Sequence, residues 1–444
     1  MSTLTRSLNL LRLAAFPLGY GLTGVLVGGT LNRVMIADLG FSTALVALFV
    51  AVPQLISPVR VWLGYASDGH RLFGRRREPY IVLGALTAGL GLLLAVLLVV
   101  NGAASSWLML AGVLAAFVLY GLGRHLGHNT FEALLADTFS GKARARAVTL
   151  YEVVTLLGSV IGAGAIGGAL KVYDPGRLTA VALGVAVAVF GLAVLAALGQ
   201  EPRTAAARQA AERARRAPFG QVVREVVLGD PQVRLFFFIV LFTFIGTLAQ
   251  DVLLEPYGAL VLHMDIGQTT RLTMFWGLGV MAAMLLAGTL LVPWLGFRRV
   301  LRLGVGVSML VFTGVIAAGA LTAGALGRPG VFQALVAVMG LGTGLAGAGM
   351  LAGIITFTTP TRAGLLMGVW GMANLLGKAA GGLIGGVVVD VMRSVTGNLF
   401  LAYATVFALE VGLLGAALLL SFRLDPAASR AQREEQQALA AAAD

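Results

Sequence analysis

Twelve apolar stretches, each about as long as a membrane-crossing helix, set the pattern of this chain. A hydrocarbon core about 30 Å thick needs roughly 20 apolar residues per helix. With 58% hydrophobic and only 12% charged residues, the composition does not fit a soluble protein of this size. We therefore predict an all-α polytopic membrane protein. The stretches cover roughly residues 10–37, 41–66, 80–100, 107–136, 147–170 and 178–199, and then 233–256, 271–294, 303–324, 331–356, 364–390 and 399–422.

The twelve stretches fall into two sets of six around one basic linker. We predict an N-terminal six-helix bundle over residues 1–200, a cytoplasmic linker over 201–232, a C-terminal six-helix bundle over 233–424 and a cytoplasmic tail over 425–444. The 444 residues leave no room for a separate soluble domain. Two related six-helix halves are typical of transporters of the major facilitator type.

Glycine repeats mark corresponding spans in the two halves. In the fifth span Gly158 and Gly162 are four residues apart, as are Gly164 and Gly168. In the eleventh span the same spacing relates Gly377, Gly381 and Gly385, and also Gly382 and Gly386. Small residues four apart form a flat helix face that lets another backbone approach closely. We therefore predict tight helix contacts along both faces.

The net charge of +12 indicates topology rather than nucleic-acid binding. Most of the Arg and Lys residues lie in loops on one side of the predicted spans, and a basic excess marks the cytoplasmic side. Both termini are therefore expected in the cytoplasm. The Ala/Arg-rich segment 203–216 is expected to lie as a helix on anionic lipids. The chain has no Cys, and we find neither a nucleotide-binding loop nor a nucleophile–His–acid set, so we predict that it is not an enzyme.

The fourth span carries an unusual group of ionisable residues. Arg124, His125, His128 and Glu132 follow one another at helical spacing, on a face that begins at Gly121. Ionisable side chains inside a membrane usually face a cavity or a partner. A neutral imidazole can ligate a metal, so one interpretation is a ligand site. The alternative is an Arg–His–Glu network that fastens helices together.

The seventh span ends in a second polar group. Gln250, Asp251 and Glu255 precede Pro256, which stops or kinks the helix. Asp251 and Glu255 share a helix face. Two interpretations stay open: the carboxylates relay protons in a symporter, or they bond loop amides or Arg271 in a structural role.

Two further sets of residues complete the candidate sites. Arg60, Asn374 and Lys378 are polar groups within spans and are candidates for a cavity position. The loop after the second span contains a Gly–Asp–Gly–Arg–Arg pattern that suits a conformational loop, because its carboxylate can cap a neighbouring helix and pair with arginines. Its members are Gly64, Asp68, Arg75 and Arg76.

The stretch from Gln250 to Gly258, with its continuation from Gly267 to Thr273, resembles the PucC/LhaA family, a bacteriochlorophyll-delivery branch of the major facilitator superfamily. The segment Arg77-Glu78-Pro79-Tyr80 and the segment from Gly121 to His125 are also similar. The resemblance covers almost the whole chain. The stretch from Gln250 is its most specific part.

The resemblance implies an assembly factor for light-harvesting antenna complexes in a bacterial inner, photosynthetic membrane. Such a protein binds or delivers bacteriochlorophyll as cargo, chaperones antenna polypeptides, or does both. Its expected partners are antenna polypeptides, bacteriochlorophyll or its synthesis enzymes, and anionic lipids, with no nucleic acid. We expect His125, within the similar segment, to be the better candidate for a pigment ligand. The alternative function is a proton-coupled secondary transporter of a small solute.

Overall fold

The computed structural model describes residues 3–59, 63, 72–75, 77–102, 106–139, 141–200, 231–321, 329–357 and 363–425. Within these residues twelve helices follow one another, counting interrupted helices as one each. Three of them are interrupted: α1 (Thr3–Val25, then π-helical Leu26–Leu31 and Val34–Asp38), α7 (Pro231–Leu248 and Gln250–Leu260) and α8 (Ile266–Leu286, π-helical Ala287–Leu291, Val292–Leu295). The others are α2 (Thr43–Leu55), α3 (Glu78–Asn101), α4 (Trp107–Thr138), α5 (Gly141–Ala169), α6 (Pro175–Ala197), α9 (Phe297–Leu321), α10 (Pro329–Phe357), α11 (Ala363–Thr396) and α12 (Leu399–Phe422).

Eleven of the described helices are long and apolar enough to cross a membrane. This confirms the predicted all-α polytopic class. The exception is α2, whose regular part has 13 residues. The regular part of α2 ends just before Pro58, because proline has no N–H to bond the carbonyl of Gln54. Instead, the N–H of Ser57 bonds that carbonyl at 3.1 Å in a tighter turn. Most of the remaining part of the predicted second span, from residue 60 onward, lies outside the described residues.

The helices form two bundles that meet along three lines. In the N-terminal half α1 packs on α5 and α6, and α3 packs on α4 and α6. In the C-terminal half α9 packs on α10 and α12, and α7 packs on α11 and α12. The halves meet where α2 contacts α11, where α5 contacts α8, and where α1 contacts α7. We call the end of the molecule that carries residues 38–43 the α1–α2 end.

The predicted glycine faces are mostly contact faces. A Cβ at Gly381 would stand 2.8 Å from the carbonyl oxygen of Ile245, and one at Gly377 would stand 2.6 Å from Cβ of Phe244. Both contacts are with α7. In α5, a Cβ at Gly162 would stand 2.9 Å from Leu22 of α1. Gly168 differs, because no atom lies within 4 Å of its Cβ position. The glycines of the eleventh span therefore make the predicted tight contact, and their partner is α7. The glycine face of the fifth span makes such a contact at Gly162 but is open at Gly168.

The predicted bounds of the bundles, the linker and the tail remain a prediction. Nearly all of the linker, residues 201–230, and the tail from residue 426 lie outside the described residues.

Candidate functional site

Helical geometry is irregular where α1 meets α7. The π-helical turns of α1 widen its backbone over most of residues 26–38, and α7 is interrupted at Ala249 and carries Pro256. π-helical turns frequently occur at functional sites. We call the place where α1, α7 and α8 meet the α1–α7–α8 junction. It lies toward the α1–α2 end of the molecule and contains Glu255 of the polar motif predicted in the seventh span.

Pro256 creates the first polar contact of this junction. Because proline has no N–H, the carbonyl of Val252, four residues earlier, lacks its helical partner. Asn32 of α1 supplies the missing donor, with Nδ2 lying 2.7 Å from that oxygen. The same Nδ2 donates to the carbonyl of Gly28 at 3.1 Å. The proline kink in one half is therefore satisfied by a side chain of the other half.

Glu255 is the buried acid of the junction, with 4% of its surface exposed. The hydroxyl of Thr273 in α8 donates to Oε1 at 3.0 Å. Oε1 lies against Gly29 of α1 so closely that a Cβ at that position would overlap it. Oε2 is buried without a hydrogen-bond partner. The positive charge of Arg33 acts on this carboxyl group.

Further polar contacts lie at the α1–α2 end of the molecule. The hydroxyls of Thr30 and Thr270 lie 3.1 Å apart across the α1–α8 contact. Arg33 pairs with Asp38 at the end of α1. Asp390 of α11 accepts hydrogen bonds from the backbone N–H groups of Thr43 at 3.0 Å and Ala44 at 2.7 Å. A carboxylate from one half thus caps the N-terminus of α2 in the other.

Asp251 points away from this junction and pairs with Lys378 of α11, with Oδ2 lying 2.5 Å from Nζ. The two side chains are 22% and 34% exposed, which is high for charges near the middle of membrane helices. Asn374, one turn earlier on α11, is half-buried. Gln250 is buried and its Oε1 has no partner. The predicted residues Asp251 and Lys378 therefore meet, whereas Asp251 and Glu255 have separate partners.

The ionisable group of α4 forms a separate cluster in the N-terminal half. Nε2 of His125 lies 2.5 Å from the carbonyl oxygen of Pro53 in α2. His128 faces α5, where its Nδ1 bonds the hydroxyl of Tyr151, and its Nε2 lies 3.3 Å from Oε1 of Glu132. The two imidazoles have adjacent positions on α4 but different partners. His125 is 7% exposed, and the His128 side chain is 21% exposed.

Arg124 is held by tyrosines of the same cluster. Its guanidinium donates to the hydroxyl of Tyr120 at 3.1 Å and lies 5.5 Å from the ring centre of Tyr20. The Tyr20 hydroxyl donates to the carbonyl of Arg124 and accepts from the N–H of His128 at 3.1 Å. Together with the bond between His128 and Tyr151, these contacts join α1, α4 and α5.

An apolar groove lies beside this cluster, with Tyr151 in its wall. It is lined by side chains of α1, α4 and α5. The cluster thus presents an imidazole, a carboxylate and an apolar surface close together. Among the described residues, no group of three or more His, Asp or Glu side chains is arranged to hold a metal ion.

Of the remaining predicted residues, Arg75 is among those that the structure describes. Arg75 pairs with Glu78 at the start of α3. Gly64, Asp68 and Arg76 of the predicted conformational loop, and the candidate cavity residue Arg60, lie outside the described residues.

Several residues with contacts at these sites were not predicted from the sequence. Asn32 lies inside the first apolar stretch, and a polar residue there could have been identified as a candidate for a contact within the protein. Thr270 and Thr273 lie in the segment that carries the family resemblance. The tyrosines and Thr30 gave no signal, because such residues are common in membrane helices. The missed residues are Tyr20, Thr30, Asn32, Tyr120, Tyr151, Thr270, Thr273 and Asp390.

Comparison with known proteins gives consistent matches. Residues 30–428 match the family described as "PUCC protein". The protein PucC of Rhodobacter capsulatus is 32% identical over 424 residues, covering 92% of this chain and 90% of the relative. A protein of the same organism named "Bacteriochlorophyll synthase 44.5 kDa chain" is 30% identical over 413 residues, covering 91% of each chain. Among solved structures, the nucleoside transporter NupG superposes with a TM-score of 0.71 at 14% identity, covering 94% of this chain and 99% of that one. The structural likeness shows a transporter-type fold.

Proposed function

Because the chain belongs to the PucC family, we propose that it is a non-enzymatic assembly factor for light-harvesting antenna complexes. It binds or delivers bacteriochlorophyll, holds antenna polypeptides during assembly, or does both. It works in the inner, photosynthetic membrane with both termini in the cytoplasm. The observation that carries this proposal is the family match over most of the chain. The relative named as a bacteriochlorophyll synthase chain supports a role connected with this pigment.

The α4 cluster is our candidate for pigment contact. A chlorin magnesium needs one imidazole nitrogen, and the macrocycle needs apolar surroundings. His128 meets both needs better than His125, because it is more exposed and lies beside Tyr151, which forms part of the groove wall. To ligate the metal, His128 must release either Tyr151 or Glu132, since both of its ring nitrogens have partners. Glu132 is the easier partner to release because its side chain is 40% exposed.

Deletion of the gene in the source phototroph tests the function. We expect loss of an antenna complex, seen in whole-cell absorption spectra, while pigment synthesis largely continues. An unchanged antenna spectrum, with no second copy of the gene to compensate, would contradict the proposal.

Pigment copurified per folded protein tests the site. We expect His128→Leu to lower this ratio and to leave protein abundance near wild type, because His128 is partly exposed. His125→Leu is the matched control on the same helix, and we expect it to keep the ratio. If both variants retain pigment, these residues are not part of a pigment site. If abundance falls together with pigment in both, the cluster is a fastening network.

A proton-coupled carrier of a small solute is the second candidate function. The Asp251–Lys378 ion pair favours it, because a partly exposed charge pair on α7 and α11 can exchange partners with a polar solute. Solute uptake into proteoliposomes under an imposed proton gradient tests this candidate. Uptake that depends on the gradient and is lost in Lys378→Met would favour the carrier over the assembly factor.

A further inference from the structure

We propose that Glu255 is a proton-binding site that controls the contact between the two halves at the α1–α2 end. The proposal is independent of the cargo that the protein handles. Glu255 lies between the halves: its own helix and Thr273 belong to the C-terminal half, and Gly29 belongs to the N-terminal half. Its charge state therefore acts directly on the contact between them.

The surroundings of Glu255 suit a neutral carboxylic acid. Ionised, the group would place a negative charge where it has one hydrogen-bond donor, Thr273, and an oxygen without any partner. Burying a charge without compensating hydrogen bonds is costly. A proton on Oε2 removes this charge and turns that oxygen into a donor. Asn32 of the same junction has a buried acceptor, Oδ1, that also lacks a partner.

The charged groups around Glu255 do not offer it a dedicated counter-ion. From α1, Arg33 acts on it but is paired with Asp38. On its own helix, Asp251 is paired with Lys378 of α11. Other charges on the elements that pack against α7 are Arg271 on α8, Asp390 and Arg393 on α11, and the buried Glu410 on α12. The side chain of Arg271 lies near Gly167 of α5, and Asp390 binds the start of α2.

Loss of the proton separates the halves at this end. An ionised Glu255 needs hydrogen bonds from water or an ion pair with Arg33. The close contact with Gly29 leaves no room for water, and Arg33 is paired with Asp38. Separation of α1 from α7 admits water to Oε2, which accepts the proton, and strains the other bonds between the halves. Those bonds are Asn32 to Val252, Thr30 to Thr270, and Asp390 to the start of α2. Binding the proton again permits closure.

Distance measurement between spin labels tests the proposal in the full chain. The absence of native Cys allows labels at Val172→Cys and Val395→Cys. These residues lie at the α1–α2 end in different halves and are 71% and 75% exposed. We expect a single short distance at low pH and a second, longer distance that grows as pH rises. Linkage to one proton changes the ratio of open to closed forms by up to about tenfold per pH unit.

Three variants decide whether Glu255 is the proton site. Glu255→Gln imitates the neutral acid and should stay closed at every pH. Glu410→Gln, a matched change at another buried acid, should keep the wild-type response. Thr273→Val removes the donor that favours the ionised form and should move the midpoint of the response to higher pH. A pH-independent distance in the wild type, a wild-type response in Glu255→Gln, a response lost in Glu410→Gln, or an unmoved midpoint in Thr273→Val would each overturn the proposal.

Discussion

The hydrogen bond from Asn32 to Val252 should be energetically coupled to Pro256. Asn32→Leu removes two donated hydrogen bonds, to the carbonyls of Val252 and Gly28. In the Asn32→Leu variant that retains Pro256, the Val252 carbonyl has no donor, because proline cannot supply one. In a Pro256→Ala background the N–H of residue 256 can bond that carbonyl within α7. Asn32→Leu should therefore cost less stability in that background.

The structure sets the size of this coupling. Only one of the two bonds of Asn32 depends on Pro256, since the Gly28 carbonyl belongs to α1. Polar contacts between membrane helices contribute on average about 0.6 and at most about 1.7 kcal/mol in double-mutant cycles. The Val252 bond is short and buried. We expect a coupling free energy in the upper part of this range, about 1–1.7 kcal/mol.

Reversible unfolding in mixed micelles measures the coupling. The free energy of unfolding is determined for the wild type, both single variants and the double variant. As a control, Asn101→Leu replaces Asn32→Leu in a second cycle, because Asn101 bonds a carbonyl of its own helix α3. That control cycle should be additive within about 0.5 kcal/mol. Additivity of the Asn32–Pro256 cycle within the same limit would refute the assignment of the Val252 carbonyl to Asn32.

Three other predictions follow from contacts described above. Gly381→Ala should lower the melting temperature, because overpacking costs about 1–3 kcal/mol. Gly371→Ala is the control on the same helix and should not, because no atom lies within 4 Å of its Cβ position. Equal melting temperatures of the two variants would show that the contact between α11 and α7 is loose. Asp390→Leu should destabilise the protein by about 0.5–2 kcal/mol through loss of a helix cap, and Asp390→Asn should restore most of this; equal unfolding free energies for the two variants would contradict capping. A Cys placed within residues 203–216 should resist membrane-impermeant labelling from outside intact cells, and labelling there would contradict the predicted topology.

Hydropathy predicts most of this fold because the crossing of a bilayer is a local property of each segment. It fails where backbone chemistry intervenes. Within the second span, predicted over residues 41–66, the regular helix is interrupted after Leu55 because of Pro58, and most of the later part lies outside the described residues. The eighth span was predicted from residue 271, but the helix begins at Ile266, where Asp265 and Gln268 form a capping box.

The candidate site was less predictable because its contacts join distant segments. The sequence shows that Pro256 leaves a carbonyl free, but the donor Asn32 lies 220 residues from Val252. Likewise, Asp251 and Lys378 were both identified as polar groups within spans, yet their pairing depends on how α7 and α11 are rotated. Helical spacing fixes which residues share a face. It does not fix which neighbouring helix that face meets, as His125 and His128 show.

The cap that Asp390 places on α2 also has a consequence for biosynthesis. Thr43 and its acceptor Asp390 are 347 residues apart. At about 5–20 residues per second, a ribosome needs roughly 20–70 s to make the intervening chain. During this interval the first N–H groups of α2 must bond water or lipid head groups instead. The N-terminal half therefore waits in an incomplete form for one of the last helices to be made. Expressed alone, that half should be a poorer folding unit than its six helices suggest, and co-expression of the C-terminal half should rescue it.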